Sequence, residues 1–261
     1  MKIVALVENV SHCDLKPKHG ICFYIETKRH KILFDLGPNK LFIINARKRG
    51  IDLTKVDTVI ISHGHNDHAG GLKYFLEINN KAKIYIQEDA FKPHYTKSLF
   101  MIPIGVNPKY KDNKQIVLLN GDYKIDEELS LFKSRRIDKC YSTMNKCLYE
   151  GKVVDRFTHE HNLLIKENKD VLIMGCGHSG VVNIMESCPI FVDYAIGGFH
   201  LYNPVNKKSV EDTLMDEIAE NLKRYRNTKY YTCHCTGEYA YNYLKNKMKL
   251  EYFSCGMELI I

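Results

Sequence analysis

The feature that most constrains this chain is a cluster of three histidines and one aspartate within six residues, His63-Gly64-His65-Asn66-Asp67-His68. The cluster directly follows Thr58-Val59-Ile60-Ile61, a β-branched run that is typical of a buried strand. Imidazole and carboxylate groups together suit Zn, Fe or Mn, whereas an all-thiolate site would need more cysteines. Because side chains two apart in an extended segment point to the same side, His63 and His65 are expected to bind one metal ion. Asp67 and His68, in the turn that follows, are expected to face a second metal ion.

The pattern of apolar residues predicts that short strands alternate with helices on both sides of this cluster. Strands are predicted over 3–7, 20–27, 31–35, 82–87, 163–165, 171–174, 194–196, 229–232 and 258–261. Helices are predicted over 39–49 and 71–80, after a capping box formed by Ser209 and Asp212, and after Gly237. Residues 90–113 show no periodicity and are predicted to be a lid or substrate loop. No repeat or linker divides the chain, which predicts one domain over residues 1–261.

Composition narrows the choice of partners. The chain of 261 residues has a formal net charge of +7, which favours an anionic partner. Its basic residues are scattered, so a small anionic molecule is favoured over a nucleic acid, and a homo-oligomer stays open. No apolar run reaches the roughly 20 residues that span a bilayer. The first residues lack the features of a signal peptide, so we expect a cytoplasmic protein that does not bind membranes. The nine cysteines form no Cys-x-x-Cys pair, which disfavours a structural zinc ribbon.

The histidine cluster resembles the His-x-His-x-Asp-His signature of the metallo-β-lactamase superfamily. The resemblance implies an α/β fold, the four-layer αββα sandwich, with metal ligands on loops along one edge. Other segments are similar to the branch of that superfamily named for a dihydropterin–ribofuranosyl-aminobenzene-phosphate synthase, many of whose members carry only a metal-dependent hydrolase label. These segments are His19-Gly20-Ile21, Ile32-Leu33-Phe34-Asp35-Leu36-Gly37, Asn45-Ala46, Gly175-Cys176-Gly177-His178-Ser179-Gly180, Gly197-Gly198-Phe199-His200-Leu201 and His234-Cys235-Thr236-Gly237.

The resemblance implies that later turns complete the metal site. His178, at a glycine-rich turn after a predicted strand, and His234, after the strand at 229–232, are the expected ligands. Many relatives carry a bridging aspartate at a Gly-Asp strand end, but this chain has Gly175-Cys176 there, so the bridge is absent, moved or replaced. Three residues are open between metal ligation and another role. The other role is that of a buried thiol for Cys176, a turn or outer-shell residue for Glu160, and a substrate contact for His200.

Three further groups of residues each keep two interpretations. Asp35 either orients a ligand histidine by accepting its other ring N–H or caps the Gly37-Pro38 turn. His94 and Tyr95 either cover the site and contact substrate or lie exposed on the surface. Arg135 and Arg136 either bind a phosphate group or form a solvated face.

The expected cofactors are two divalent metal ions, with Zn first and Mn, Fe or Mg as alternatives. Asp67 is the expected catalytic residue, because it would help to hold a metal-activated hydroxide. The predicted function is hydrolysis of a small anionic ester, lactone or phosphoester. The alternative is the pterin-condensing transferase, which releases pyrophosphate when an aromatic partner attacks carbon. A non-catalytic or redox metal-binding module is the third hypothesis.

Overall fold

Twenty short strands and six helices make up the computed structural model, which describes residues 1–261. In chain order the strands are β1 (Lys2–Val7), β2 (Cys22–Glu26), β3 (Lys31–Phe34), β4 (Thr58–Ile60), β5 (Lys83–Gln87), β6 (His94–Lys97), β7 (Met101–Pro103), β8 (Ile116–Leu119), β9 (Tyr123–Lys124), β10 (Leu129–Phe132), β11 (Leu148–Glu150), β12 (Val153–Val154), β13 (Asn162–Lys166), β14 (Asp170–Ile173), β15 (Tyr194–Gly197), β16 (Tyr202–Asn203), β17 (Lys208–Ser209), β18 (Lys229–Thr232), β19 (Leu250–Tyr252) and β20 (Glu258–Ile260). The helices are α1 (Leu41–Lys48), α2 (Asn66–Ala69), α3 (Leu72–Ile78), α4 (Val181–Ser187), α5 (Asp212–Leu222) and α6 (Glu238–Lys245).

Two mixed seven-stranded sheets form the body of the molecule. The first sheet has the order β20-β1-β2-β3-β4-β5-β8, and its strands from β3 to β8 are parallel neighbours. The second sheet has the order β19-β18-β15-β14-β13-β10-β9, and its strands from β14 to β19 are parallel neighbours. In each sheet, the loops that carry the histidines follow the carboxyl ends of the parallel strands. Ligand-binding loops of open α/β sheets lie at this same position.

Alternating side chains of the strands fill three apolar layers. In β1, Ile3 and Ala5 pack between the two sheets, whereas Val4 and Leu6 pack in the layer that contains residues of α1 and α3. In the second sheet, Ile173 of β14 also packs between the sheets, and Leu172 packs in the layer that contains residues of α4, α5 and α6. Because both faces of each sheet are covered, the molecule is a four-layer αββα sandwich, as the superfamily resemblance implies.

Most predicted elements are present, but two differ from the sequence-based expectation. Ser209 does not cap a helix: it pairs with Tyr202 in the β16–β17 ribbon, and α5 begins three residues later, after Glu211. Residues 90–113 are not irregular throughout, since β6 and β7 pair within them as an antiparallel hairpin. This hairpin joins β11 and β12 in a small sheet of order β12-β11-β6-β7. None of the helices is both long and apolar enough to cross a membrane.

Candidate metal centre

The predicted site residues converge where strands of both sheets end. In the first sheet, β3 leads to Asp35, and β4 leads to Ser62 and the histidine cluster, which continues into α2. In the second sheet, β14, β15 and β18 are adjacent parallel strands, and the loops after them carry Cys176 and His178, then His200, then His234. Parallel neighbours end at one edge of a sheet, so residues far apart in the sequence meet there.

The first group of donors is His63, His65 and His178, all buried. Nε2 of His63 lies 3.1 Å from Nδ1 of His65. The ring centre of His178 lies 4.9 Å from that of His63 and 5.0 Å from that of His65. Nε2 of His65 and Nε2 of His178 are buried without any hydrogen-bond partner, a costly state for a polar atom unless a ligand satisfies it.

The second group is Asp67, His68 and His234. Oδ2 of Asp67 lies 3.2 Å from Nε2 of His234 and 3.6 Å from Nε2 of His68. The same oxygen lies 3.4 Å from Nε2 of His19, a half-exposed side chain whose ring packs against that of His234. The structure therefore brings together all six residues that the sequence analysis predicts as metal ligands, in two neighbouring sets.

Cys176 lies between the two groups. Its Sγ is 3.2 Å from Nε2 of His68. Sγ also lies within 4.8 Å of the ligand atoms of His63 and His178, and within 4.8 Å of those of His68 and His234. This thiol therefore adjoins both donor sets, at the strand end where the resemblance implies a bridging carboxylate.

In four of the histidines, Nδ1 is held by an oxygen atom. Nδ1 of each contacts a different partner: Ser62 Oγ at 2.9 Å for His63, Asp35 Oδ2 at 2.6 Å for His68, Asn145 Oδ1 at 3.0 Å for His178, and Asn9 Oδ1 at 2.9 Å for His234. Carboxylate and amide oxygens accept only, and Ser62 Oγ donates its own proton to Asp35, so each Nδ1 is the donor. In the neutral ring the lone pair is then on Nε2. This is the arrangement that histidine ligands require.

Asp35 and Glu160, two of the residues whose roles the sequence leaves open, support the donor residues through hydrogen bonds. Asp35 accepts hydrogen bonds from His68 and from both the backbone N–H and the hydroxyl of Ser62, so it orients a histidine as one of its two interpretations proposes. The carboxylate of Glu160 accepts the backbone N–H groups of His178 and Ser179 at 2.7 and 2.8 Å. Glu160 therefore holds the turn of His178 and is not directed at the donor sets.

A central cavity of about 200 Å³ opens onto part of this donor set, and its walls include His65, Asp67, Cys176, His178, His200 and His234. His200 lies against His178 with ring centres 4.1 Å apart, and neither of its ring nitrogens has a hydrogen-bond partner. His200, His234 and Asp35 have φ angles of 49°, 53° and 58°. Left-handed backbone at non-glycine residues is strained and is characteristic of functional sites.

The structure separates the remaining predicted residues from the cavity. His94 is buried, with Nδ1 2.9 Å from Asp155 and Nε2 3.1 Å from the carbonyl of Asp89, and it does not line the cavity. Tyr95 is half-buried and does not line it either. Arg135 and Arg136 are exposed and lie outside the cavity wall, which agrees with the solvated-face interpretation.

Sequence reasoning missed several residues of the site. Asn9 and Asn145 hold ligand histidines, and His19 faces Asp67. Only His19 carried a signal, since it lies in one of the segments that support the branch resemblance. His159 was also missed: its Nδ1 accepts the N–H of Gly64 at 2.9 Å and its Nε2 donates to Asp155 at 3.1 Å, which fixes the turn between His63 and His65.

Burial and neighbouring charges shift the pKa of His68 in the opposite direction from the pKa values of the first group. Burial holds the pKa values of His63, His65 and His178 well below the ordinary range, so these rings stay neutral and able to bind a metal. Burial alone would lower the pKa of His68, but Asp67 and Asp35 raise it to about 9. His68 is therefore an imidazolium at neutral pH when no metal is bound.

We expect the free energy of unfolding of the metal-free protein to fall as the pH rises from 6.5 through about 9, the pKa of His68. The pKa of His68 is raised in the folded state, so its stabilising contribution is complete below the unfolded-state value and disappears above the folded-state value. The loss is at most about 3 kcal/mol. Urea unfolding across this pH range measures it. His68→Gln should flatten the profile, and His12→Gln, at an exposed position, should leave it unchanged; a profile identical in all three proteins would contradict the assignment.

Comparison with known proteins agrees with the fold. The family model of the metallo-beta-lactamase superfamily matches residues 16–190. Two proteins of Methanocaldococcus jannaschii are similar: an uncharacterised protein, 29% identical over 90% of each chain, and 7,8-dihydropterin-6-methyl-4-(beta-D-ribofuranosyl)-aminobenzene-5'-phosphate synthase, 28% identical over 97% of this chain and 93% of the synthase. The crystal structure of a metal-dependent hydrolase of the beta-lactamase superfamily superposes with a TM-score of 0.82 at 26% identity, covering 100% of this chain and 99% of the hydrolase. The chain therefore belongs to the metallo-beta-lactamase superfamily.

Proposed function

We propose that this protein is a dinuclear metal-dependent hydrolase that acts on a small anionic ester, lactone or phosphoester. The observation that carries the proposal is a set of four histidines, gathered in two neighbouring donor groups, whose Nδ1 atoms are held by outer oxygens so that each Nε2 is left as the nitrogen that can bind a metal ion. Such preorganisation is typical of metal ligands and has no evident use in a purely structural core.

The donors fit two divalent ions. His63, His65 and His178 form one set, Asp67, His68 and His234 form the other, and Cys176 adjoins both. Imidazole, one thiol and one carboxylate favour Zn over the harder ions Mn and Mg. Divalent ions bound there would lower the pKa of a water molecule and polarise a carbonyl or phosphoryl oxygen of the substrate.

The chain's own residues supply orientation and proton handling. Asp67 is the single carboxylate on the cavity wall, and its pKa is held well below the ordinary range because the surrounding imidazoles outweigh the effect of burial. It is thus an acceptor that can hold and orient an attacking water molecule. His200 lies beside His178 of the first donor group. Neither of its ring nitrogens has a hydrogen-bond partner, so they can bond to a substrate oxygen or to a leaving group. The cavity volume favours a small substrate over a polymer.

The proposal is tested by metal analysis of the purified protein followed by turnover assays with phosphoester, lactone and thioester substrates. We expect close to two Zn equivalents per chain and metal-dependent hydrolysis of at least one class, restored by Zn after chelation. The His63→Ala variant is the matched negative control. Protein that binds no divalent metal, or hydrolysis that survives chelation, would contradict the proposal.

The pterin-condensing transferase is a second candidate, because the named synthase is similar over nearly the whole length of both chains. In that reaction the residues of the cavity would hold the pyrophosphate leaving group while an aromatic partner attacks carbon. It predicts that pyrophosphate is released only when hydroxymethyl-dihydropterin pyrophosphate and the ribofuranosyl-aminobenzene phosphate are both present. Release from the first substrate alone would indicate hydrolysis.

The position of Cys176 gives a spectroscopic prediction. Burial raises the pKa of the thiol, but a bound metal requires the thiolate. Protein loaded with Co²⁺ should therefore show thiolate-to-metal charge-transfer absorption in the near ultraviolet, and Cys176→Ser should abolish that band. Cys188→Ser, at a half-buried thiol outside the centre, is the control. A band that persists in the Cys176→Ser variant would show that this thiol is not a ligand.

A further inference from the structure

A groove beside the central cavity carries two lysines and no acidic residue. We call it the basic groove; it has a volume of about 350 Å³, and its polar donors are Lys97, Ser98, Thr143, Lys146 and Asn206. Three other residues of the groove, Met144, Cys147 and Asn203, also line the central cavity. The groove and the cavity therefore adjoin along a shared wall, which brings the groove within reach of one molecule that also occupies the cavity.

Each of the two lysines is the sequence neighbour of a residue that lines the cavity wall. Lys97 is the last residue of β6 and follows Thr96, which lines the cavity. Lys146 precedes Cys147, in the turn that leads into β11. Because β6 and β11 pair directly, the two lysines are carried by neighbouring segments. The ammonium group of Lys97 lies 5.7 Å from the ring centre of Tyr149, a contact that helps to position it.

The donor groups of the basic groove have no hydrogen-bond or ion-pair partner within the protein. Neither Lys97 nor Lys146 forms an ion pair, whereas the nearby Lys92 pairs with Glu150. The hydroxyl groups of Ser98 and Thr143 form no hydrogen bond. Oδ1 of Asn206 accepts the N–H of Lys208, which leaves its amide nitrogen free to donate. The groove thus offers two cations and three neutral donors to a ligand.

The central cavity cannot neutralise an anionic group that lies away from the metals. No lysine or arginine lines it, and Asp67 is its one carboxylate. Two ammonium groups and three neutral donors match the charge and the three terminal oxygens of a phosphate monoester better than the two oxygens of a carboxylate. The small volume favours a small molecule over a nucleic-acid backbone, which would need a longer basic surface.

We propose that the basic groove binds a phosphate monoester group of the substrate, remote from the bond that reacts at the metal centre. This inference rests on the proposed function for the reacting end of the molecule. A substrate would then be held at two points, by the metals at one end and by Lys97 and Lys146 at the other.

Binding of glycerol 3-phosphate to the metal-loaded protein tests the groove directly, with glycerol as the uncharged comparison. In the double variant Lys97→Gln/Lys146→Gln, we expect the calorimetric Kd for glycerol 3-phosphate to rise by more than about tenfold with the metal content unchanged. The matched control, Lys83→Gln/Lys249→Gln, removes two exposed lysines elsewhere and should bind as the parent does. Equal affinity in all three proteins would show that the metals alone hold the phosphate and would overturn the proposal. A short RNA duplex that binds more tightly than glycerol 3-phosphate through the same lysines would also overturn it.

Kinetics separate this inference from the proposed function. For a pair of ester substrates with and without a remote phosphate, the Lys97→Gln/Lys146→Gln variant should raise KM about tenfold for the phosphorylated ester alone, with kcat unchanged. Turnover in which the variant treats both esters alike would overturn the groove and leave the hydrolase intact. Lysine-dependent binding of glycerol 3-phosphate without turnover of any ester would support the groove and overturn the hydrolase.

Discussion

Asp67→Asn is expected to reduce kcat by more than the roughly 100-fold that is lost when an outer partner of a metal ligand is removed. The carboxylate touches His234, His68 and His19 through one oxygen, and in the proposed mechanism its charge would both complete the second donor set and orient the attacking water molecule. The amide keeps the shape of the side chain but loses the charge. We therefore expect one metal equivalent per chain to be lost while the fold persists.

The measurement combines metal content, steady-state turnover and thermal unfolding of the same preparation. Asp112→Asn, at an exposed position without an ion pair, is the matched control and should behave as the parent protein. Turnover of the Asp67→Asn variant within tenfold of the parent would remove Asp67 from the mechanism.

Gly64→Ala is expected to destabilise the protein by about 3 kcal/mol or more and to prevent metal binding. A Cβ atom at residue 64 would lie 2.4 Å from the carbonyl oxygen of Ala90 and 2.9 Å from its Cα, and both atoms belong to the backbone. Neither can move aside as a flexible side chain would. The turn that sets the spacing of His63 and His65 must therefore shift.

Gly50→Ala separates this steric effect from the cost of backbone conformation. Gly50 has a φ of 67° and open space around its Cβ position, so alanine there pays only the left-handed penalty of about 1–2 kcal/mol. Gly64 is not left-handed, so any cost there arises from crowding. Urea unfolding and Zn titration of both variants give the comparison. A Gly64→Ala protein that is no less stable than Gly50→Ala, and binds Zn normally, would show that the turn tolerates the extra atom.

The sequence predicts the site where local pattern and topology suffice. The histidine cluster follows a short strand that the local pattern predicts, and His178 and His234, which the resemblance implies as ligands, follow two others. The sandwich is likewise implied by the resemblance that the histidine motif carries. Predictions fail where tertiary contacts decide. Ser209 has the pattern of a helix cap but is paired with Tyr202 instead.

The outer residues of the centre lie beyond what a single sequence can show. Asn9 and Asn145 are ordinary loop asparagines until the fold brings them to His234 and His178. His94 lies in a segment without periodicity, and only the pairing of β6 with β11 buries it beside Asp155. The position of Cys176 between two donor sets likewise depends on both sheets being in place.

The donors at the metal centre come from opposite halves of the sandwich. Residues 63–68 belong to the first sheet and its connection, whereas Cys176, His178 and His234 follow strands of the second. Ions bound between them would fasten the two halves together at one edge, because separation of the sheets would require ligand bonds to break. Metal occupancy of the centre would then limit how far the two sheets can separate at that edge. Metal supply would therefore influence the lifetime of the folded chain as well as its chemistry.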